Sequence, residues 1–214
     1  MMHQLENVKN TYDLTAAEYA ESFYKELDSK PLDRLLLRRF ARRAQKPGLT
    51  ADIGCGCGHT TAYLRHCGVK DLIGFDLSPG MIEEAAKLNP GIDFEVRNML
   101  SLSENNDSFG AILAFYAIVH FNYTEVEMAF KEFFRTLKPG GELLFSFHVG
   151  EDRTELDEFL GIRTTITFYY FDVDHIHRIL NSAGFKIDET VLRYPYTDVE
   201  YPSKRAYISA HKPN

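Results

Sequence analysis

The chain has 214 residues, 44% of them hydrophobic and 26% charged, enough apolar material for one full core without disulfide staples. Acidic residues outnumber basic ones, 31 to 24, for a formal net charge of −7. Nucleic-acid binding draws on Lys and Arg set against phosphates, so this balance argues against DNA or RNA as a partner. The opening MMHQLENVKN lacks the apolar run of a signal peptide or anchor, and no other stretch has the length and apolarity of a bilayer span. Three cysteines, Cys55, Cys57 and Cys67, are a low and odd number. The expectation is a single cytoplasmic domain with reduced thiols and no membrane partner.

The apolar spacing predicts a helix over 14–28, a break at Lys30-Pro31, and a second helix over 32–45 with Leu35, Leu36, Phe40 and Ala44 on one face. Arg34, Arg38, Arg39, Arg42 and Arg43 on that helix read as a solvated face. From residue 49 short apolar runs alternate with helical stretches: strand 49–53, helix 59–66, strand 71–77, helix 79–88, strand 92–98 and a strand within 109–120. A helix over 124–137 ends at Lys138-Pro139-Gly140-Gly141 and leads into strand 142–149. TTITFYYF (164–171) alternates like one extra strand. Asp172 reads as the N-cap of a helix through Ala183 that Gly184 stops, and strands 185–194 and 204–212 follow.

Alternating strand and helix implies right-handed crossovers: an α/β, Rossmann-like, doubly wound and mostly parallel seven-stranded sheet with helices on both faces. The last two strands lie too close in sequence for a crossover helix, so they are expected to run antiparallel. The domain divides into a helical cover (1–46), a cofactor-binding core (47–149), a lid insert (150–171), and the last helix and hairpin (172–214).

The sharpest local signal is Asp52-Ile53-Gly54-Cys55-Gly56-Cys57-Gly58, after a strand and before a helix. Glycines there allow backbone torsions closed to other residues and bring the main chain close to a ligand, while the helix N-terminus offers free N–H groups. Asp76 ends the next strand, where an acid accepts hydrogen bonds from ribose hydroxyls. The dinucleotide fingerprint G-x-G-x-x-G is not met, because His59 stands where its third glycine belongs, and no G-K-S/T follows to make a Walker loop. Two thiolates one residue apart chelate poorly, so no metal is expected.

On these residues the chain resembles the class I S-adenosylmethionine-dependent methyltransferases of small-molecule type, from about Tyr12 to the final strand. The matching segments are DIGCGCGHTTAYL (52–64), GFDLSPGMIEEAAK (74–87), RNML (97–100), FGAILAFYAIVH (109–120) and RTLKPGGELLFSFH (135–148). The resemblance implies S-adenosylmethionine as cofactor. Gly54, Gly56 and Gly58, with Cys55 between them, would lie against its methionine part and Asp52 near its ammonium. Asp76 would grip the ribose, with Leu77 and Met81 beside the adenine. Asn98, where family members commonly carry Asp, would bond the adenine amine, with Met99 and Leu100 beside it and Phe115 facing the cofactor. Tyr12 and Tyr19 match a Y-D…Y pattern in related enzymes whose N-terminal segment folds over the cofactor.

Ligands of open α/β sheets bind at the carboxyl ends of the parallel strands. The N-terminal helix, the insert 150–171 and the loop 194–203 should overhang that edge and close a pocket suited to a small-molecule methyl acceptor. Methyl transfer is an in-line displacement, so alignment does most of the work, and a hydroxyl acceptor also needs a base. His120 and His148 end strands at that edge and are the candidate bases. Tyr116, Tyr169, Tyr196, Lys204 and Arg205 are the candidate acceptor contacts, the last two for an acidic group. An RNA or protein methyltransferase is the alternative; a fold that binds the cofactor without transfer, or a dinucleotide oxidoreductase, ranks lower. The motifs carry no sign of oligomeric state.

Overall fold

The computed structural model describes residues 2–44 and 48–214. The helix end expected at 45 and the division at 46/47 lie outside the described residues. Two helices open the chain, α1 (Met2–Phe23) and α2 (Pro31–Ala44), joined through a 3-10 turn over Glu26–Ser29. Then come β1 (Leu49–Ile53), α3 (His59–His66), β2 (Leu72–Asp76), α4 (Pro79–Leu88), β3 (Asp93–Val96), β4 (Phe109–Phe115), α5 (Tyr123–Thr136) and β5 (Leu137–Val149). A hairpin of β6 (Arg153–Phe159) and β7 (Ile162–Tyr169) precedes α6 (Val173–Ala183), β8 (Lys186–Arg193) and β9 (Lys204–His211).

Seven strands form one sheet in the order β3-β2-β1-β4-β5-β9-β8. β1 through β5 pair in parallel, and β9 inserts antiparallel between β5 and β8. Side chains alternate across this sheet, so each strand feeds two cores. Along β4, Ile112 and Ala114 face α5 and α6, where Phe130, Phe133, Ile176 and Leu180 meet them. Ala111, Leu113 and Phe115 face the other way, onto Leu37, Phe40 and Ala41 of α2 and Leu64 of α3. Local chemistry fixes the helix starts. The Ser78 hydroxyl accepts from the Met81 N–H ahead of Pro79, Asn122 and Glu125 form a reciprocal capping box, and Asp172 accepts from the His175 N–H.

Two elements differ from the sequence expectation. α1 begins at Met2 rather than near residue 14, because its buried stripe is partly polar. Thr11 and Thr15 are fully buried beside Val8 and Ala16, with Thr15 Oγ1 bonded to the Thr11 carbonyl and Thr11 Oγ1 meeting Thr164 Oγ1 at 2.6 Å. Apolar periodicity cannot see a face that threonine hydroxyls satisfy internally. The lid carries two strands rather than one: RTELDEF pairs antiparallel with β7 across Leu160 and Gly161, both at positive φ as a tight hairpin turn requires. β6 is mostly exposed and charged, which hides it from a hydrophobic reading. Among the described residues no helix is long and apolar enough to cross a membrane.

Candidate active site

The sheet order reverses between β1 and β4, so the turns leaving these strands diverge and open a crevice at their carboxyl ends. On one side the chain leaves β1 through Gly54, Gly56 and Gly58, at φ +73°, +53° and +80°. A Cβ on Gly54 would stand 2.5 Å from Ala117 Cβ, whereas one on Gly56 would meet nothing nearer than Tyr19 Cε1 at 3.6 Å. Gly54 thus serves loop-to-loop packing, and Gly56 bares its backbone to the crevice. The Gly54 and Cys55 N–H groups donate to the Phe75 carbonyl, and Gly56 N–H donates to Asp76 Oδ2 at 2.9 Å. Asp76 Oδ1 accepts from Ser78 N–H at 2.9 Å. Both carboxylate oxygens are held by backbone and keep lone pairs toward the crevice. Burial raises the Asp76 pKa above the ordinary carboxylate value.

Asp52 lies beneath the loop, fully buried, and its Oδ2 accepts from Thr60 Oγ1 at 2.8 Å and Thr61 Oγ1 at 2.6 Å. Its Oδ1 has no hydrogen-bond partner among the described residues. α1 straps over the far side, where Asp13 Oδ1 accepts from Ser78 Oγ and Gly80 N–H at the start of α4. Between loop and strap lies a cleft lined by Gly54, Cys55, Gly56, Asp76, Leu77, Met81, Met99, Phe115, Tyr12 and Tyr19, among others.

Tyr12 and Tyr19, with Glu26 and Tyr116, also line a second, adjoining chamber flanked by Phe159 and Phe168 of the lid hairpin. At the junction the Tyr12 hydroxyl lies 2.8 Å from His120 Nε2, and His120 Nδ1 lies 2.8 Å from the Thr167 carbonyl. A carbonyl only accepts, so Nδ1 carries the proton, Nε2 is bare, and Tyr12 donates to it. Burial pushes the His120 pKa down to about 4, keeping the ring neutral, and burial together with the Asp76 charge raises the Tyr12 phenol. Tyr116, just after β4, is held at φ +54°, a left-handed conformation that costs a non-glycine residue about 1–3 kcal/mol. Its N–H donates to Ser146 Oγ and its hydroxyl meets Tyr207 OH at 2.8 Å.

β9 runs against β5, so its first residues arrive at the same edge: His148 pairs with Arg205, and Val149 with Lys204. Partners in register point to one face, so Arg205 joins His148 at the chamber while Lys204 turns to solvent. His148 Nδ1 lies 2.7 Å from Ser203 Oγ, and burial plus the Arg205 and Lys30 charges push its pKa down to about 3. Lys30, which ends the 3-10 turn, lines the same chamber and pairs with Glu26 at 2.7 Å. Glu26 in turn lies 3.2 Å from His59 Nε2, and Cys57 Sγ lies 3.8 Å from His59 Nδ1. Burial opposes charge on this pair, yet the Cys57 and Glu26 contacts of His59, and the His59 and Lys30 contacts of Glu26, outweigh it, holding Glu26 at about 2 and His59 at about 10.

Residues 51–141 match the methyltransferase domain family. The chain is 31% identical over 145 residues to phosphoethanolamine N-methyltransferase 1 of Arabidopsis thaliana, covering 65% of this chain and 29% of that protein. It is 35% identical over 141 residues to probable tRNA methyltransferase 9B of Homo sapiens, covering 65% and 28%. It therefore spans under a third of the length of these curated relatives. Among solved structures, the magnesium protoporphyrin IX methyltransferase ChlM from Synechocystis with bound SAM superposes at a TM-score of 0.71, with 17% identity, over 98% of this chain and 97% of that one. Residues 51–141 thus match a methyltransferase domain, and the chain as a whole shares the fold of S-adenosylmethionine-dependent methyltransferases.

The glycine-loop cleft fits S-adenosylmethionine: an open backbone at Gly56, carboxylate oxygens of Asp76 at its wall, and the unpartnered Asp52 Oδ1 just below. Of the other sequence-derived candidates, Gly58 and Leu100 stand outside the cleft lining, as does Asp52. Gly58 is needed instead for packing, since a Cβ there would stand 2.8 Å from both Asn89 and Phe94. Asn98 also stands outside it, its Oδ1 accepting from Leu100 N–H in a local turn. Three expected acceptor contacts are absent from the chamber wall. The Tyr169 hydroxyl accepts from Gln4, the Tyr196 hydroxyl accepts from Leu32 N–H, and exposed Lys204 stands 4.9 Å from the Tyr194 ring centre. Sequence reasoning missed Lys30, Glu26 and His59, whose only signal was charge at the ends of helices. Among the described residues no His, Cys, Asp and Glu cluster has metal-binding geometry.

Proposed function

We propose that the protein transfers a methyl group from S-adenosylmethionine to a nitrogen or oxygen of a small molecule held in the chamber beneath the lid hairpin. The observation that carries this reading is the Tyr12–His120 hydrogen bond at the junction of cleft and chamber. The cofactor supplies a methyl on a sulfonium, an excellent leaving group, so the protein's tasks are alignment and removal of the acceptor's proton. Tyr12 oxygen accepts that proton as its own hydroxyl proton passes to bare His120 Nε2. The Thr167 carbonyl, already bonded to Nδ1–H, supports the imidazolium that results. Asp76 grips the ribose, Leu77 and Met81 flank the adenine, and the Gly54–Gly56 backbone lies along the methionine part. Tyr19 and Phe115 wall the reacting centre, and Tyr116 divides it from the chamber.

The two curated relatives pull the acceptor in two directions, one toward phosphoethanolamine and one toward tRNA. Two features support the small molecule. The chamber is flanked by the lid aromatics Phe159 and Phe168, which give it apolar walls on the scale of a small ligand. Three of the five arginines of α2 are engaged: Arg39 with Glu189, Arg43 with Glu142, and Arg38 with the Tyr63 hydroxyl. The test is Tyr12→Phe, which keeps the ring's edge contacts to Tyr19 and Phe159 and removes the hydroxyl. With small amines and alcohols screened as acceptors by S-adenosylhomocysteine release, kcat should fall about 10²-fold or more. S-adenosylhomocysteine affinity should stay within about threefold, since the hydroxyl is bonded to His120 rather than spent on the cofactor. Wild-type kcat in this variant would remove the dyad from the mechanism.

A further inference from the structure

The acceptor chamber carries more positive charge than its own carboxylates neutralise by hydrogen bonds. Glu200, on the loop before β9, spends both oxygens on Arg193, accepting from Nη1 at 2.6 Å and Nη2 at 2.8 Å. Its Oε1 lies 3.3 Å from Arg205 Nε and 3.5 Å from Lys30 Nζ, close enough for attraction, but neither contact has hydrogen-bond geometry. The Arg205 side chain is only 4% exposed. Its Nη1 donates to the carbonyls of Tyr201 and Ser203, and its Nε has no hydrogen-bond partner among the described residues. Lys30, 9% exposed at its side chain, has one short partner, Glu26, which also serves His59. Both cations line the chamber that Tyr12 enters from the cofactor side.

Burying an arginine costs several kcal/mol unless every donor finds an acceptor, and fork-shaped guanidinium groups suit planar or tetrahedral oxyanions. Two cations lining one chamber, Arg205 and Lys30, against the single carboxylate Glu26 in that lining, are a half-built oxyanion site. Resting on the methyltransferase reading, we propose that the chamber selects its acceptor by an oxyanion group, a phosphate monoester or a carboxylate. Arg205 and Lys30 hold that group while the acceptor's nucleophile faces Tyr12. Because Lys30 comes from the segment after α1 and Arg205 from β9, the acceptor itself draws the two covers of the chamber together.

The experiment is calorimetric titration of inorganic phosphate and of acetate into the free protein and into protein saturated with S-adenosylhomocysteine, alongside the matched pair phosphoethanolamine and ethanolamine. At least one oxyanion should bind saturably, and phosphoethanolamine should bind about tenfold or more tighter than ethanolamine if the group is a phosphate. Tighter acetate than phosphate, with β-alanine preferred over propylamine, would assign a carboxylate instead. Arg205→Gln and Lys30→Gln should each weaken oxyanion binding about tenfold or more, while Lys204→Gln leaves it unchanged. Lys30→Gln sits on a separate element from Arg205→Gln, and Arg205→Lys keeps the charge should the glutamine variant misfold. Charged and neutral members binding alike, or oxyanion affinity surviving both glutamine variants, would overturn the proposal. So would a short RNA that binds where inorganic phosphate and acetate do not. Failure of S-adenosylhomocysteine to bind would instead sink the methyltransferase reading, and the titrations into free protein would still test the oxyanion site.

Discussion

The cofactor cleft and the acceptor chamber share a wall but are built on opposite plans. The cleft is made from contiguous sequence: Gly54–Gly58 and Asp76–Met81 occupy the turns after two neighbouring strands, and their backbones are stitched together by hydrogen bonds to Phe75 and Asp76. The chamber is assembled from afar. Tyr12 comes from α1, Lys30 from the turn before α2, Phe159 and Phe168 from the lid, and Arg205 from β9. Their electrostatics differ as well. Carboxylates crowd the cleft, suited to a sulfonium and an ammonium, and cations gather at the chamber. The two regions thus divide the labour: the cleft is fixed by main-chain geometry, which few sequences satisfy, whereas the chamber is fixed by side chains on covers that can vary independently.

The largest effect should come from attacking the main-chain geometry. Gly54→Ala forces a methyl to within 2.5 Å of Ala117 Cβ in a left-handed backbone at φ +73°. Strain and overpacking together should cost about 2–4 kcal/mol and abolish measurable S-adenosylhomocysteine binding. Gly91→Ala is the control: φ is +88° there too, but nothing lies within 4 Å of the added methyl. It should cost only about 1 kcal/mol, with full ligand affinity retained. Urea denaturation and calorimetry on both variants read the contrast. Normal ligand binding by Gly54→Ala would mean that the loop is not the cofactor's seat.

The same division explains what the sequence made legible. A strand, three glycines and an acid at the end of the next strand form a local pattern with a physical cause, so the cleft and the doubly wound sheet could be read from residues alone. The antiparallel β9 was legible too, because too few residues separate it from β8 for a crossover. Chamber residues had no such grammar. Lys30 looked like a helix break, and its approach to Arg205 depends on β9 threading beside β5. Lys204 and Arg205 could not be told apart until register assigned them to opposite faces, since a one-residue difference flips a strand side chain. The buried threonines of α1 concealed its length for a similar reason: Thr164, the partner of Thr11, is distant in sequence.

His59 of the cleft and His148 of the chamber should also respond to pH with opposite sign. His59, at the cleft, is raised from 6.5 to about 10. Its folded form holds a proton that the unfolded chain gives up, so its stabilisation is full below about pH 6.5 and is lost as pH rises toward 10. His120, which lines the cleft beside Tyr12, and His148, at the chamber, are pushed down from 6.5 to about 4 and about 3. The unfolded chain takes up protons first, so their contribution is full above pH 6.5 and is lost as pH falls toward those values. Within its window each histidine changes stability by about 1.4 kcal/mol per pH unit. Melting curves of His59→Gln and His148→Gln at about pH 5 and about pH 9 separate the regions. His59→Gln should flatten the alkaline loss and His148→Gln the acid loss. The reverse assignment would break the comparison.

The smallest effect sharpens the boundary of the chamber. Lys204 and Arg205 are neighbours in sequence with the same formal charge, and only strand alternation separates them. Lys204 lies exposed, with Nζ 4.9 Å from the centre of the solvent-facing Tyr194 ring. An exposed cation–π contact of this kind is worth about 0.5–1 kcal/mol at most. Lys204→Ala should therefore shift the melting midpoint by no more than a degree or two and leave both KM for the acceptor and kcat unaltered. A raised KM in this variant would mean that β9 is shifted by one residue when the acceptor is bound. Such a slip would exchange which of the two cations the chamber sees, and with it the face that every other residue of the strand presents.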